Sequence, residues 1–137
     1  MSANDALAEW VRKEMTVVGP SVLMEVRDRV ARLLGVTADG VVVFKLSADQ
    51  RSKLNARDQI LLYSTGKMYA HAAGYCPEDS VSNAELTTNL GMPDGTVKSQ
   101  LKALRDAHLL NSSRDGVHTI PVNRVLEVLS TIEGKVA

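Results

Sequence analysis

Apolar residues recur along the chain at two spacings, and the switches between them divide it into elements. Leu7, Trp10, Val11, Met15 and Val18 follow a helical period after a cap at Asn4. Gly19-Pro20 is expected to end that helix, because proline removes a donor and disfavours helix in the residue before it. Val22, Val26, Val30 and Leu33, widened by Met24 and Leu34, predict a second helix closed by Gly35. After a turn at Thr37–Gly40, Val41–Leu46 is nearly all apolar and rich in β-branched residues, which predicts a strand buried on both faces. Two partners suit such a strand: a hairpin later in the chain, or its own copy in a dimer.

Ser47 and Gln50 have capping-box spacing and predict a short helix. Asn55-Ala56-Arg57-Asp58 opens a long helix to about Tyr75, with Leu61, Leu62, Thr65, Met68, Tyr69, Ala72 and Ala73 on its apolar face. Gly66 inside it costs about 1 kcal/mol relative to alanine, which implies close packing there. A loop covers Gly74–Ser80. Ser82 and Glu85 repeat the capping-box spacing before a short helix that stops at Gly91, a residue type that accepts the left-handed conformation. Met92–Gly95 is a turn, and Asp94 or Thr96 caps a helix running to about His108. Val97, Leu101, Leu104 and His108 or Leu109 form its buried stripe. Leu109–Ser112 and Val117–Ile120 are β-prone runs joined by Ser113-Arg114-Asp115-Gly116, and an Asp-Gly pair between such runs signals a hairpin. Pro121 opens a last helix with a stripe of Val122, Val125, Leu126, Leu129 and Ile132, ended by Gly134. The fold class is therefore mainly α with a small β-sheet. Residues 1–46 read as a helix-helix-strand extension, and residues 47–137 as the principal domain with a C-terminal helix.

Helix, tight turn, helix and hairpin, in that order from Ser82 to Ile120, resembles the winged helix-turn-helix superfamily. Within it Met92–Arg105 (MPDGTVKSQLKALR) is similar to the recognition helix in region 4 of bacterial extracytoplasmic-function sigma factors, at Gly95, Thr96, Val97, Lys98, Ser99 and Leu101. Sigma region 4 carries no wing, so that second similarity is one of helix-turn-helix physics. The superfamily resemblance implies a DNA-binding regulator in which the helix after the wing and the N-terminal helices supply a dimer interface.

Composition changes this picture only in part. Sixteen Lys and Arg balance sixteen Asp and Glu, whereas a basic surplus is the usual footprint of a nucleic-acid binder. One Trp, three Tyr and one Phe are too few for a stacking platform for single strands. A lone Cys76 permits no internal disulfide, which fits a reducing cytosol. No export signal or membrane-spanning run is evident, so a cytoplasmic protein without membrane partners is expected. His71, His108 and His118 lie at no metal-ligand spacing, and no phosphate-binding glycine loop is present. No cofactor, metal or catalytic residue is expected, and the chain is not read as an enzyme.

At about 100° per residue, Val97, Leu101 and Leu104 share one narrow sector of their helix. Lys98, Lys102 and Arg105 cluster about a quarter turn away. In a helix laid in the major groove, N-terminal residues reach base edges and flanking cations reach phosphates. Thr96 and Ser99 are thus candidates for base or phosphate contacts, Lys98 and Lys102 for charge, and Arg105 for phosphate. Gly95 permits close backbone approach. Ser82 and Asn83 can offer helix N-terminal amides to a phosphate, and Arg114 can enter a minor groove from the wing tip. Asp94 and Asp106 oppose phosphate. So few contacts per subunit imply double-stranded DNA bound by a homodimer. The alternative is a winged-helix module that binds protein instead, which charge neutrality favours.

Overall fold

The computed structural model describes residues 2–16, 19–114 and 116–137. Ser2, not Asn4, caps the first helix, α1 (Ala3–Trp10): its hydroxyl accepts from the Asp5 amide at 3.1 Å, and the Asp5 carboxylate reaches back to the Ser2 amide. One π-helical turn, Val11–Met15, continues it. The helix stops there, short of Gly19-Pro20. Those two residues instead open α2 (Gly19–Glu25), where a proline in the first turn has no intrahelical bond to lose. Val18 lies outside the described residues.

The expected second helix is divided at Val26, whose φ of −102° and ψ of 9° leave the helical range before α3 (Arg27–Leu33) resumes. It ends earlier than predicted. Leu34 is already extended and begins β1 (Leu34–Val36), so Gly35 sits in mid-strand and caps nothing. The apolar run at Val41–Leu46 forms only a short strand, β2 (Val42–Phe44), paired antiparallel with β1 through the intervening turn. It pairs with its immediate neighbour in sequence and not with the later hairpin. Burial on both faces is also not found: Val42 is buried, and Val43 is 49% exposed.

The capping boxes at Ser47/Gln50 and Asn55/Asp58 form completely and open α4 (Ala48–Ser52) and α5 (Ala56–Ala72). α5 is the axis of the molecule. Every residue from Ile60 to Gly66 is buried, so the helix is covered on all sides and not along one stripe. It stops short of Tyr75, and Ala72 and Ala73, expected on the apolar face, are exposed. The close packing predicted at Gly66 is present. A Cβ there would lie 2.6 Å from Val42 Cγ1 and 3.1 Å from Leu34 Cδ2, so the missing side chain is what seats the first sheet on α5.

A two-residue strand, β3 (Val81–Ser82), precedes α6 (Asn83–Leu90), which Gly91 closes at φ 66°. Then come α7 (Asp94–Asp106), β4 (Asn111–Arg114) and β5 (Val117–Thr119). The three strands form one antiparallel sheet in the order β3-β5-β4. Ser82 caps α6 as predicted, accepting from the Glu85 amide at 3.0 Å. The reciprocal half of that box is replaced, because the Glu85 carboxylate turns to Tyr63 and Lys67. Neither Asp94 nor Thr96 caps α7. Pro93 holds the cap position and Asp94 is the first helical residue. The hairpin starts two residues later than its apolar run, because the amides of Leu109 and Leu110 fold back to the Leu104 carbonyl, at 2.9 and 3.3 Å. Asp115 of the predicted turn lies outside the described residues, and Gly116 beside it has φ 73°.

After a 3-10 turn at Val122–Arg124, α8 (Val125–Val136) buries Val125, Val128, Leu129, Ile132 and Val136 against α5 and α4. Val122 is left in the turn, Leu126 faces solvent, and Gly134 lies inside the helix instead of ending it. One continuous apolar cluster runs from Val26 to Val136. The result is a mainly helical chain with two small antiparallel sheets.

Candidate nucleic-acid interface

α7 is amphipathic, and the position of its stripe decides what it can present. Val97, Leu101 and Leu104 are fully buried as it packs on α5 and α6. Burying each such side chain contributes about 1.5–3 kcal/mol, so the rotation of α7 about its axis is strongly fixed. Gly95, Lys98, Ser99, Lys102, Ala103 and Asp106 are consequently exposed, and Thr96 and Arg105 are half-buried. Ala103 is the outward residue that the charge pattern did not single out.

Lys98 is exposed but not free in charge: its Nζ lies 3.0 Å from Asp94 Oδ2, one turn earlier. Arg105 lies nearer the sheet, where its charge is felt by His118. Arg114 projects from β4 and meets Glu78 of the preceding loop at 3.4 Å. Glu78 was not legible as a partner, because it is distant in sequence and sits in a loop with no periodicity.

The start of α6 is occupied by the sheet. Ser82 lies in β3 opposite Val117, the Asn83 amide donates to the Gly116 carbonyl at 3.2 Å, and Asn83 Oδ1 lies 2.7 Å from His118 Nε2. The Asn83 amide, which the sequence reading offered to a phosphate, is thus already engaged by the sheet. Strand β3 runs straight into α6, so the sheet claims that donor. His118 is buried in the central strand. Its Nε2 donates to Asn83, and Nδ1 has no hydrogen-bond partner. Burial first, and then the Arg105 charge, hold its pKa below 6.5.

The other candidates for chemistry are dispersed. His71 Nδ1 contacts the Cys76 carbonyl at 3.1 Å, and Cys76 Sγ points to the Glu78 carbonyl at 3.2 Å. His108 is exposed just past α7 with φ 59°. Among the described residues no group of three His, Cys, Asp or Glu side chains is arranged to hold a metal, and no helix is long and apolar enough to cross a membrane.

No protein-family model matches the chain, and no curated protein or solved structure matches it. The geometry therefore carries the functional reading alone.

Proposed function

We propose that the chain is a winged helix-turn-helix protein that binds double-stranded DNA as a homodimer, as a non-enzymatic transcriptional regulator of the cytoplasm. In this reading α5, α6 and α7 are the three helices of the motif, β3 supplies the first strand, and β4–β5 is the wing. The single observation that carries it is the orientation of α7. Its apolar side is locked into the core, Lys98 and Ser99 are carried on the outside of its N-terminal half with Thr96 half-exposed beside them, and Lys102 follows one turn later; the N-terminal half is the part that enters a major groove in this motif. Gly95 keeps the backbone accessible, and a Cβ there would meet nothing within 4 Å. Arg105 and Arg114 supply flanking phosphate contacts, and Ser82 serves as a cap.

One observation favours the protein-binding alternative. Two of the cations expected on this face are already matched, Lys98 by Asp94 and Arg114 by Glu78. Exposed pairs of this kind are worth at most about 1 kcal/mol, so a phosphate can displace the carboxylates. They lower the affinity of one subunit without blocking the surface.

The test is binding of a mixed-sequence duplex by fluorescence anisotropy at about 50 and about 200 mM salt, a range over which four phosphate contacts cost about 100-fold in affinity. The variant Lys98→Glu with Lys102→Glu is expected to fold normally, since both side chains are exposed, and to lose binding. A folded double variant that binds as well as the parent removes α7 from the interface. No binding at the lower salt favours the protein module.

A further inference from the structure

α1 and its π-helical extension carry an apolar stripe with nothing on it. Leu7 is 60% exposed, Trp10 54%, Val11 37% and Met15 60%. None of the residues from Ser2 to Thr16 is buried. The slower winding of the π turn carries Met15 back over Val11, so all four share one side. A helix this short is marginal in water unless its apolar face is covered. Elsewhere the same chain has an uncovered apolar groove of about 800 Å³ between α2 and α5. Leu23, Met24, Met68, Tyr69 and Ala72 form its walls, with Arg27 and Asp79 on its rim. Met24 is 60% exposed there, and the groove is held open at a fixed width by the Tyr69 hydroxyl, which donates to the Leu23 carbonyl at 2.7 Å. Burial raises the Tyr69 pKa to about 12, so this tie is neutral and insensitive to pH.

We propose that α1 of one copy docks into the α2–α5 groove of a second copy, and that the exchange is reciprocal. Three observations select a second copy. The helix and the groove are complementary in chemistry and belong to one sequence, which is the requirement for a two-fold interface in which each subunit gives what it receives. Charges match at both flanks: Arg12 borders one side of the stripe and can meet Asp79, and Glu14 borders the other and can meet Arg27. The exchange is also reciprocal, so each subunit covers both a stripe and a groove, which doubles the area that one docked helix alone would cover. This surface is separate from α7, so the inference stands whether or not α7 binds DNA.

Trp10 is the single tryptophan of the chain and reports its own docking. The experiment is sedimentation equilibrium together with tryptophan emission across a dilution series of the full chain. The expected result is a dimer whose emission is blue-shifted and moves to the red as it dissociates. Leu7→Asp, Met24→Glu and Ala72→Glu each change an exposed side chain, and each is expected to weaken the dimer at least 100-fold with thermal unfolding of the subunit unchanged. Mixing Leu7→Asp with Met24→Glu restores one of the two docked helices and partial dimerisation. Lys98→Glu with Lys102→Glu leaves the dimer intact. A monomer at all concentrations overturns the proposal. With blue-shifted emission that monomer means that α1 covers its own groove, and with red emission that neither surface is used. A dimer that survives Leu7→Asp and both groove variants also overturns it.

Discussion

The Tyr63 hydroxyl donates to Glu85 Oε2 at 2.7 Å, across the contact between α5 and α6. Lys67 Nζ reaches the same oxygen at 2.8 Å, and Asn89 Nδ2 donates to the Tyr63 oxygen at 2.9 Å. Burial, and then the Glu85 carboxylate, raise the Tyr63 pKa well above its ordinary value, so the phenol is protonated and donates at neutral pH. This network sets the angle of α6 on α5, and α6 in turn supports α7. Tyr63→Phe is expected to lose about 1–2 kcal/mol of unfolding free energy, since Asn89 and Glu85 keep their polar groups with one partner fewer. Urea denaturation measures it. A loss below a few tenths would mean that the network does not hold α6.

Gly66 and Val42 make a second contact with a definite consequence. Gly66→Ala improves helix propensity by about 1 kcal/mol, yet it drives a methyl into Val42 at 2.6 Å. Overpacking of this kind costs about 1–3 kcal/mol, so the net effect is destabilising. Val42→Ala in the same chain is expected to make Gly66→Ala neutral or favourable. Thermal unfolding of the four variants of the cycle decides this, and additivity of the two changes would refute it.

His118 gives stability a pH dependence of predictable sign. Its folded pKa lies below 6.5, chiefly through burial and secondarily through Arg105. Above 6.5 it is neutral in both states, and its contribution is fully present. As pH falls below 6.5 the unfolded chain takes up a proton that the folded chain refuses, so stability drops with a slope approaching about 1.4 kcal/mol per pH unit. The drop levels off once the folded pKa is passed. Unfolding free energies between pH 5 and 8, with imidazole titration followed by NMR, check both the slope and its assignment.

If α7 meets DNA, its two lysines are not equivalent. Lys98 must leave Asp94 to reach a phosphate, whereas Lys102 is exposed and, among the described residues, pairs with no carboxylate. Lys102→Ala is expected to weaken duplex binding more than Lys98→Ala. Asp94→Asn is expected to strengthen it several-fold, the scale of an exposed pair of at most about 1 kcal/mol. Anisotropy titrations of the three variants at one salt concentration are sufficient, and a weaker Asp94→Asn complex contradicts the docking direction of α7.

Local patterns made much of this legible. Ser47/Gln50 and Asn55/Asp58 are complete in sequence and complete in structure, because a capping box needs only residues three apart. The stripe Val97, Leu101 and Leu104 was equally readable, and it fixes which side of α7 faces out. The same rule over-reached at Ser82/Glu85, where the glutamate found Tyr63 and Lys67, far away in sequence. It failed at Val41–Leu46, where an apolar run could not say which faces would be covered. β3 has only two residues, too few for any period, and is defined by its pairing with Val117 and His118.

What the sequence determined by itself was therefore the helices from α4 to α8, the caps at Ser47 and Asn55, the left-handed stop at Gly91 and the outward lysines of α7. Each of these depends on groups within one or two helical turns. Tertiary structure decided which face of β2 is covered, the third strand β3, the neutralisation of Arg114, the engagement of the Asn83 amide and the bare stripe of α1. These depend on which distant surface reaches a group first, and nothing local encodes that competition.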